Sequence, residues 1–243
     1  MIPGVESRPA SVRRLASVLR STPFHPQWLM PKRKVSTGIS KCRGRLLDVG
    51  SADGWLSGII ADSASYISLD FPPTALGLYG ARPHVFADAC RMPFVDESID
   101  AVACYEVLEH VRQPGALLAE VSRILVPGGV VELTMPFFYP LHDEPHDFQR
   151  WTRHGWVVGL KAAGLTPEVI EPRSSAVHSA AVAMCLSLAG PLQHGSVVKL
   201  LVALPALLFA IPLINLSAWI LGAVWPPWDA MPIGYRILAR KPG

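Results

Sequence analysis

The sequence predicts an α/β fold, a mostly parallel sheet wound with helices on both faces. Three observations predict it. From Arg45 to Glu171 short apolar runs alternate with helical stretches, the pattern of βαβ units. The run Ile99–Cys104 is almost continuously apolar, as a strand covered on both faces should be. Finally, successive apolar runs end in an acid, which sets several carboxylates at one edge of the sheet.

The elements follow in order. Pro3, Pro9, Pro23, Pro26 and Pro31 disfavour long helices in residues 1–44, except over Ser11–Leu19. Arg45–Val49 is the first strand, and Gly54–Ala61 opens a helix after a tight turn. Tyr66–Leu69 is a second strand ending in Asp70, and Val85–Phe86 a third ending near Asp88. Ile99–Cys104 is the fourth. Pro114 suits the first turn of a helix through Leu125, stopped by Pro127-Gly128-Gly129. Val130–Met135 is the fifth strand. Arg153–Ala163 is an amphipathic helix closed by Gly164, a natural left-handed cap, and Val169–Glu171 is the sixth strand. Tyr235–Arg240 reads as a last one.

Between Arg173 and Asp229 the only formal charge is Lys199, and Leu200–Val224 has none. That length suffices to cross a bilayer. Yet a single crossing would put Tyr235–Arg240 on the wrong side to pair with the sheet. Three arrangements survive: a monotopic hairpin lying on the membrane, a pair of spans using Ala176–Gly190 as partner, or a folded apolar lid. Pro205 and Pro212 are expected to break a straight helix, and Trp219, Trp225 and Trp228 suit a headgroup interface, which favours the hairpin. The chain divides into a basic arm (1–44), a catalytic domain (45–173), an apolar helical insertion (174–228) and a closing strand (229–243).

Charge is distributed unevenly. Residues 1–45 hold ten Lys or Arg against Glu6 alone, so they carry +9 and leave −6 of the net +3 for the rest. A basic arm on an acidic body suits an anionic partner such as lipid headgroups, nucleotide phosphates or nucleic acid, or is simply a solvated arm. Cys42, Cys90, Cys104 and Cys185 show neither C-x-x-C pairing nor zinc-ligand spacing, so nothing asks for an oxidising compartment. Arg13, Arg14 and Arg20 interrupt any signal-peptide core, and the catalytic body is expected in the cytoplasm.

The chemistry-bearing residues begin at Asp48-Val49-Gly50-Ser51-Ala52-Asp53-Gly54, where a strand runs into a small-residue turn and then a helix. Backbone can approach a ligand closely there, with unpaired N–H groups at the helix start. Asp70, ~20 residues on, can accept from both hydroxyls of a ribose, and Asp88-Ala89 lies where a third strand end could meet an adenine amino group.

These segments resemble the class I S-adenosylmethionine-dependent methyltransferases, in particular the small-molecule group that includes the quinone-ring enzymes. Leu47-Asp48-Val49-Gly50 is similar to the family's first motif and Ser68-Leu69-Asp70 to its acidic second strand end. Met92–Val102 resembles its entry to strand four, Glu106-Val107-Leu108-Glu109-His110-Val111 the segment that follows, and Leu125–Gly129 the turn before strand five. The resemblance implies a Rossmann-like, doubly wound seven-stranded sheet with the last strand antiparallel. It implies S-adenosylmethionine as cofactor, held by Asp48, Gly50, Ser51, Ala52, Gly54, Asp70, Asp88, Ala89 and Glu106. One departure is Ala52, where the family's loop carries glycine; alanine fits there if its φ is negative.

Methyl transfer asks mainly for an acceptor held in line with an electrophilic methyl, and for a base where the acceptor holds its proton. Candidates for that base are His110, His142 and His146. The segment Tyr139–Trp151 follows strand five, and its Asp147-Phe148-Gln149-Arg150 resembles the family's acceptor-pocket run, so Tyr139, Asp147, Arg150 and Trp151 are expected to meet the acceptor. His142 and His146 with Asp143, Glu144 and Asp147 also read as metal donors. Two prolines keep them off a common helical face, so no metal is expected. The acceptor is expected to be a small or lipid-linked molecule, saccharide or quinone-like. Nucleic acid is not expected, because no Asn-Pro-Pro-aromatic motif is present. A non-catalytic cofactor-binding or scaffold protein is the rival reading, resting on Ala52.

Overall fold

The computed structural model describes residues 18–60, 64–190 and 197–243. Its chain forms two compact units: Lys32–Arg173 with Gly234–Gly243, and Ser174–Ile233 with the segment up to Pro31.

The larger unit is built on seven strands, β1 (Arg45–Val49), β2 (Ser65–Asp70), β3 (Val85–Phe86), β4 (Ile99–Tyr105), β5 (Leu125–Pro136), β6 (Thr166–Pro172) and β7 (Gly234–Arg240). They lie in the order β3-β2-β1-β4-β5-β7-β6, with β1 to β5 parallel and β7 antiparallel to both β5 and β6. The strand order reverses between β1 and β4, which opens a crevice at their carboxyl ends. A charge ladder ties in the antiparallel strand. Arg236 on β7 donates to buried Glu132 on β5 (2.7 Å) and to Glu171 on β6 (2.9 Å).

Alternation along the strands divides the core. Leu47 and Val49, Val102 and Cys104, and Val131, Leu133 and Met135 face helices α1 (Pro114–Ile124) and α2 (Arg153–Ala162), meeting Leu117, Val121, Trp156 and Leu160. Pro114 sits in the first turn of α1, and the Thr152 hydroxyl caps α2 by accepting from Gly155 N–H at 3.1 Å. The opposite face is thinner. Leu46, Ala101 and Ala103 pack on Ile39 and Leu56, which come from short turns rather than long helices.

Two sequence expectations need correction here. The helix expected over Gly54–Ala61 is a single tight turn, Trp55–Gly58, because two glycines and a serine in five positions give little helical propensity (Ala61 lies outside the described residues). Pro127-Gly128-Gly129 does not separate α1 from β5. The strand starts at Leu125, and these residues are a bulge within it, marked by the register shift from Ile99↔Leu125 to Ala101↔Val130 and by Gly128 at φ 79°. Of the helix expected over Ser11–Leu19, residues 11–17 lie outside the described residues.

The smaller unit carries α3 (Ala176–Ala189), α4 (Val197–Pro205) and α5 (Ile211–Val224). Between Pro205 and Pro212 the regular α-helix gives way, although the last two helices do not come apart. Ala206–Ala210 is a wide π-type turn that joins them, absorbing the missing N–H donors within one continuous helix. Its stretch Leu201–Val224 is apolar and 24 residues long, enough by length and composition to cross a membrane. Much of it is exposed, including Phe209, Leu213, Trp219 and Ile220. Asn215, the polar break in this run, is fully buried and donates to the carbonyls of Pro23 (2.6 Å) and His25 (3.0 Å). α3 crosses α5 closely at Gly222, where any Cβ would meet the His178 ring at 2.3 Å. A cleft of about 580 Å³ opens between the start of α3 and the segment Trp225–Met231.

Candidate active site

The loop after β1 alternates left-handed residues, Gly50 at φ 72°, Ala52 at 48° and Gly54 at 72°. Gly50 and Ser51 N–H donate to the Leu69 carbonyl (2.8 and 3.2 Å), which binds the loop to the end of β2. Gly50 admits no side chain, since a Cβ would lie 2.3 Å from Val107 Cγ2, whereas space over Gly54 is open. The condition set for Ala52 is not met: its φ is positive, so the alanine holds a conformation that costs an L-residue roughly 1–2 kcal/mol. What holds it there is Asp70, whose Oδ2 accepts from Ala52 N–H at 2.9 Å.

Asp70 also accepts from Phe71 N–H through Oδ1 (2.7 Å). Burial raises its pKa, and the two N–H contacts oppose the shift. A carboxylate has about four acceptor sites; two are used here, which leaves one per oxygen for a diol. Asp48 is buried beneath the loop and accepts from Tyr66 Oη at 2.6 Å. Burial pushes its pKa to about 6, helped by the charges of Asp70 and Asp53 and opposed by the Tyr66 hydroxyl. Asp88 is exposed beyond β3; its Oδ1 closes a turn onto Cys90 N–H (2.8 Å), and Ala89 packs against the core. Glu106 stands at the end of β4 with φ 55° and pairs with Arg173.

The segment after β5 folds back over the segment after β4. Phe148 N–H donates to the Glu109 carbonyl (2.9 Å), and Gln149 Nε2 donates to the carbonyls of Leu108 (2.8 Å) and Val111 (2.9 Å). Docking brings His110, His142 and Tyr139 into an edge-to-face series, with ring centroids 5.0 and 5.4 Å apart. Glu109 lies beneath them, fully buried, its Oε1 3.7 Å from His110 Nε2 and 3.9 Å from His142 Nε2. Neither Glu109 oxygen has a hydrogen-bond partner among the described residues. Burial, then the Glu106 charge, raises the Glu109 pKa well above the usual range, while burial lowers that of His110.

The other expected residues are placed as follows. Asp147 is buried and paired with Arg150 through both oxygens, and its Oδ2 accepts from His142 N–H at 3.0 Å. Burial would raise its pKa, but Arg150 and the His142 N–H outweigh that and hold it down. The pair shapes the loop and orients His142. The His146 ring is not part of the cluster: it is exposed beside Phe148, and His146 contributes its carbonyl, 2.7 Å from His110 Nδ1. Trp151 turns to the core, stacked edge-on against Trp156 (5.1 Å) and filling the space over Gly159. Sequence reasoning missed Glu109 and Gln149. The acid beside a histidine in Leu108-Glu109-His110 was the available signal for the first; no signal marks the second.

Residues 47–133 match the family described as a methyltransferase domain. An uncharacterized methyltransferase of Mycolicibacterium vanbaalenii is 34% identical over 106 residues, 41% of this chain and 42% of that protein. A probable S-adenosylmethionine-dependent methyltransferase of Mycolicibacterium smegmatis is 32% identical over 114 residues, 43% of this chain and 44% of that protein. The match thus spans less than half the length of these relatives. Phosphoethanolamine N-methyltransferase 2 of Haemonchus contortus, solved with S-adenosyl-L-methionine, shares the fold, with a TM-score of 0.53 and 16% identity over 97% of this chain and 61% of that one.

Proposed function

We propose that this chain, whose residues 47–133 are a methyltransferase domain of the S-adenosylmethionine-dependent class, methylates a small-molecule or lipid-linked acceptor, saccharide or quinone-like. The observation that carries the reading is the paired geometry of Asp70 and the left-handed loop at the strand-order reversal. The cofactor would be held by the backbone of Gly50–Gly54 and by Asp70 on the ribose, with Asp88 toward the adenine. When bound it supplies an electrophilic methyl group. Beyond β4 and β5, the residues around His110, His142 and Tyr139 would position the acceptor and manage its proton.

The lipid-linked acceptor is favoured by the second unit. Its exposed apolar helix, with Trp219, Trp225 and Trp228, suits a membrane surface, and its cleft lined by Val177, Ala180, Trp225 and Trp228 suits an acyl or isoprenoid chain. Both strands flanking this unit, β6 and β7, lie in one sheet, so the segment between them must leave and return on the same side. A monotopic mode on the cytoplasmic face, assisted by the basic arm, satisfies that constraint.

The test is incubation of the protein with membrane and soluble metabolite fractions and trideuteromethyl cofactor, read by mass spectrometry. A labelled lipid-fraction species supports the proposal. Asp70→Ala should weaken calorimetric cofactor affinity at least tenfold, because charge-assisted hydrogen bonds contribute ~1.5–3 kcal/mol each. Cofactor binding with no labelled species in any fraction would favour the non-catalytic rival.

A further inference from the structure

We infer that Glu109, His110 and His142 bind a divalent transition-metal ion of the zinc type. Their donor atoms all lie within 4.8 Å of one another. Tetrahedral zinc with bonds of ~2.0–2.2 Å sets neighbouring donors ~3.3–3.5 Å apart. The observed 3.7 and 3.9 Å from Glu109 Oε1 to the two Nε2 atoms need only a few tenths of an ångström of closure.

The stronger argument is which lone pairs face one another. His110 Nδ1 lies 2.7 Å from the His146 carbonyl, which can only accept, so Nδ1 carries the hydrogen. His142 Nδ1 lies 3.2 Å from Asp147 Oδ2 and 3.3 Å from the Pro140 carbonyl, again two acceptors. In a neutral imidazole the other nitrogen is then bare. Two bare Nε2 atoms therefore converge on a carboxylate that is fully buried and, among the described residues, has no hydrogen-bond partner on either oxygen. With both rings neutral and Glu109 ionised, three acceptors face one another with no donor among them, an arrangement that is mutually repulsive in a dry site. The distances are too long for one shared proton to bond all three, whereas a divalent cation satisfies them together.

The surroundings are those that metal-bound imidazoles have. Each ligating ring donates its remote N–H to a carbonyl or carboxylate, which fixes the tautomer and raises ligand basicity. Arg150 in turn holds Asp147, so the chain of support runs Arg150–Asp147–His142. Two nitrogens and one carboxylate select zinc, cobalt or iron(II) over magnesium or calcium, which prefer oxygen donors throughout. Three protein ligands leave a position for an exchangeable fourth, as in hydrolytic zinc sites. That an acceptor hydroxyl takes this position, and becomes more acidic there, rests on the methyl-transfer reading; the metal site itself does not.

The experiment uses full-length protein freed of metal by chelation and dialysis, without cofactor or acceptor. Zn²⁺ is titrated by calorimetry, with Mg²⁺ as control, and Co²⁺ by its visible d–d absorption. One equivalent of Zn²⁺ should bind, Mg²⁺ should not compete, and Co²⁺ should give the intense bands of a low-coordinate site. Glu109→Gln and His142→Ala should each weaken Zn²⁺ binding more than tenfold, and Asp147→Asn by ten- to hundredfold through the positioning of His142. His146→Ala keeps the carbonyl and should stay within twofold. Thermal unfolding of each variant identifies any that fail to fold, and for those the Co²⁺ spectrum of the Asp147→Asn protein decides. No stoichiometric Zn²⁺ binding, or binding indifferent to Glu109→Gln and His142→Ala, overturns the proposal. S-adenosylmethionine titration of the same metal-free protein tests the cofactor reading separately, so either can fail alone.

Discussion

Ala52 adopts φ 48°, a conformation open to glycine and costly to alanine, and its two flanking glycines make the loop a graded test of backbone strain. Replacing Ala52 by glycine removes roughly 1–2 kcal/mol of left-handed strain but frees the unfolded chain by ~0.5–1 kcal/mol. The net gain is ~0.5–1 kcal/mol, or an increase of ~1–4 °C in Tm for a chain of this size. Gly54→Ala runs the same account backwards, since its φ is 72° and its Cβ would meet nothing within 4 Å among the described residues; it should cost ~0.5–1 kcal/mol. Gly50→Ala adds a collision, with Val107 Cγ2 only 2.3 Å from the new Cβ, so overpacking brings its cost to ~2–4 kcal/mol. Thermal unfolding should therefore rank the four proteins Ala52→Gly, wild type, Gly54→Ala, Gly50→Ala. Cofactor affinity of Ala52→Gly should equal or exceed that of the wild type. A lower Tm for Ala52→Gly, or equal damage from the two alanine substitutions, would refute the reasoning.

Asp48→Asn should stabilise the protein at pH 8 and leave it unchanged at pH 4. The folded-state pKa of about 6 exceeds the ordinary 3.8, so ionisation favours the unfolded chain, and stability declines between about pH 4 and 6 by roughly 2–3 kcal/mol. Equal Tm shifts at both pH values would count against that assignment. Trp219→Ser with Trp225→Ser and Trp228→Ser should reduce co-flotation with anionic liposomes severalfold without changing cofactor affinity. A wild-type protein that is soluble without detergent and ignores liposomes would leave the apolar segment as a lid.

The strands were legible because burial on two faces writes itself into composition: Ile99–Cys104 and Arg45–Val49 have no polar alternation to confuse the reading beyond Asp100 and Asp48. Acids at the ends of β2 and β3 were legible too, since Asp70 directly follows Tyr66–Leu69 and Asp88 lies just beyond Val85–Phe86. Backbone hand was not. Ala52 carries no local mark of φ 48°, because the conformation is set by Asp70, eighteen residues away, taking its N–H. The bulge at Pro127–Gly129 was misread as a stop because turn residues announce a change of direction, whether inside a strand or after a helix. Pro205 and Pro212 marked the place where a regular α-helix could not run on, but not that a π-type turn between them would carry the chain through.

The histidine-rich segment shows where residue identity stops being informative. Sequence alone offers His142 and His146 as equivalent donors four positions apart, and places Glu109 in a motif without assigning it a role. Their roles separate only once Gln149 and Phe148 dock the segment onto Leu108–Val111. That docking turns the His146 carbonyl, not its ring, toward His110, and sets Asp147 behind His142. Both imidazoles thereby lose the choice of tautomer, and both point a lone pair at the same buried carboxylate. The feature that distinguishes a cation site from a loop of fixed histidines is thus the direction of three lone pairs, a property of contacts made across roughly 35 residues of chain that no local spacing encodes.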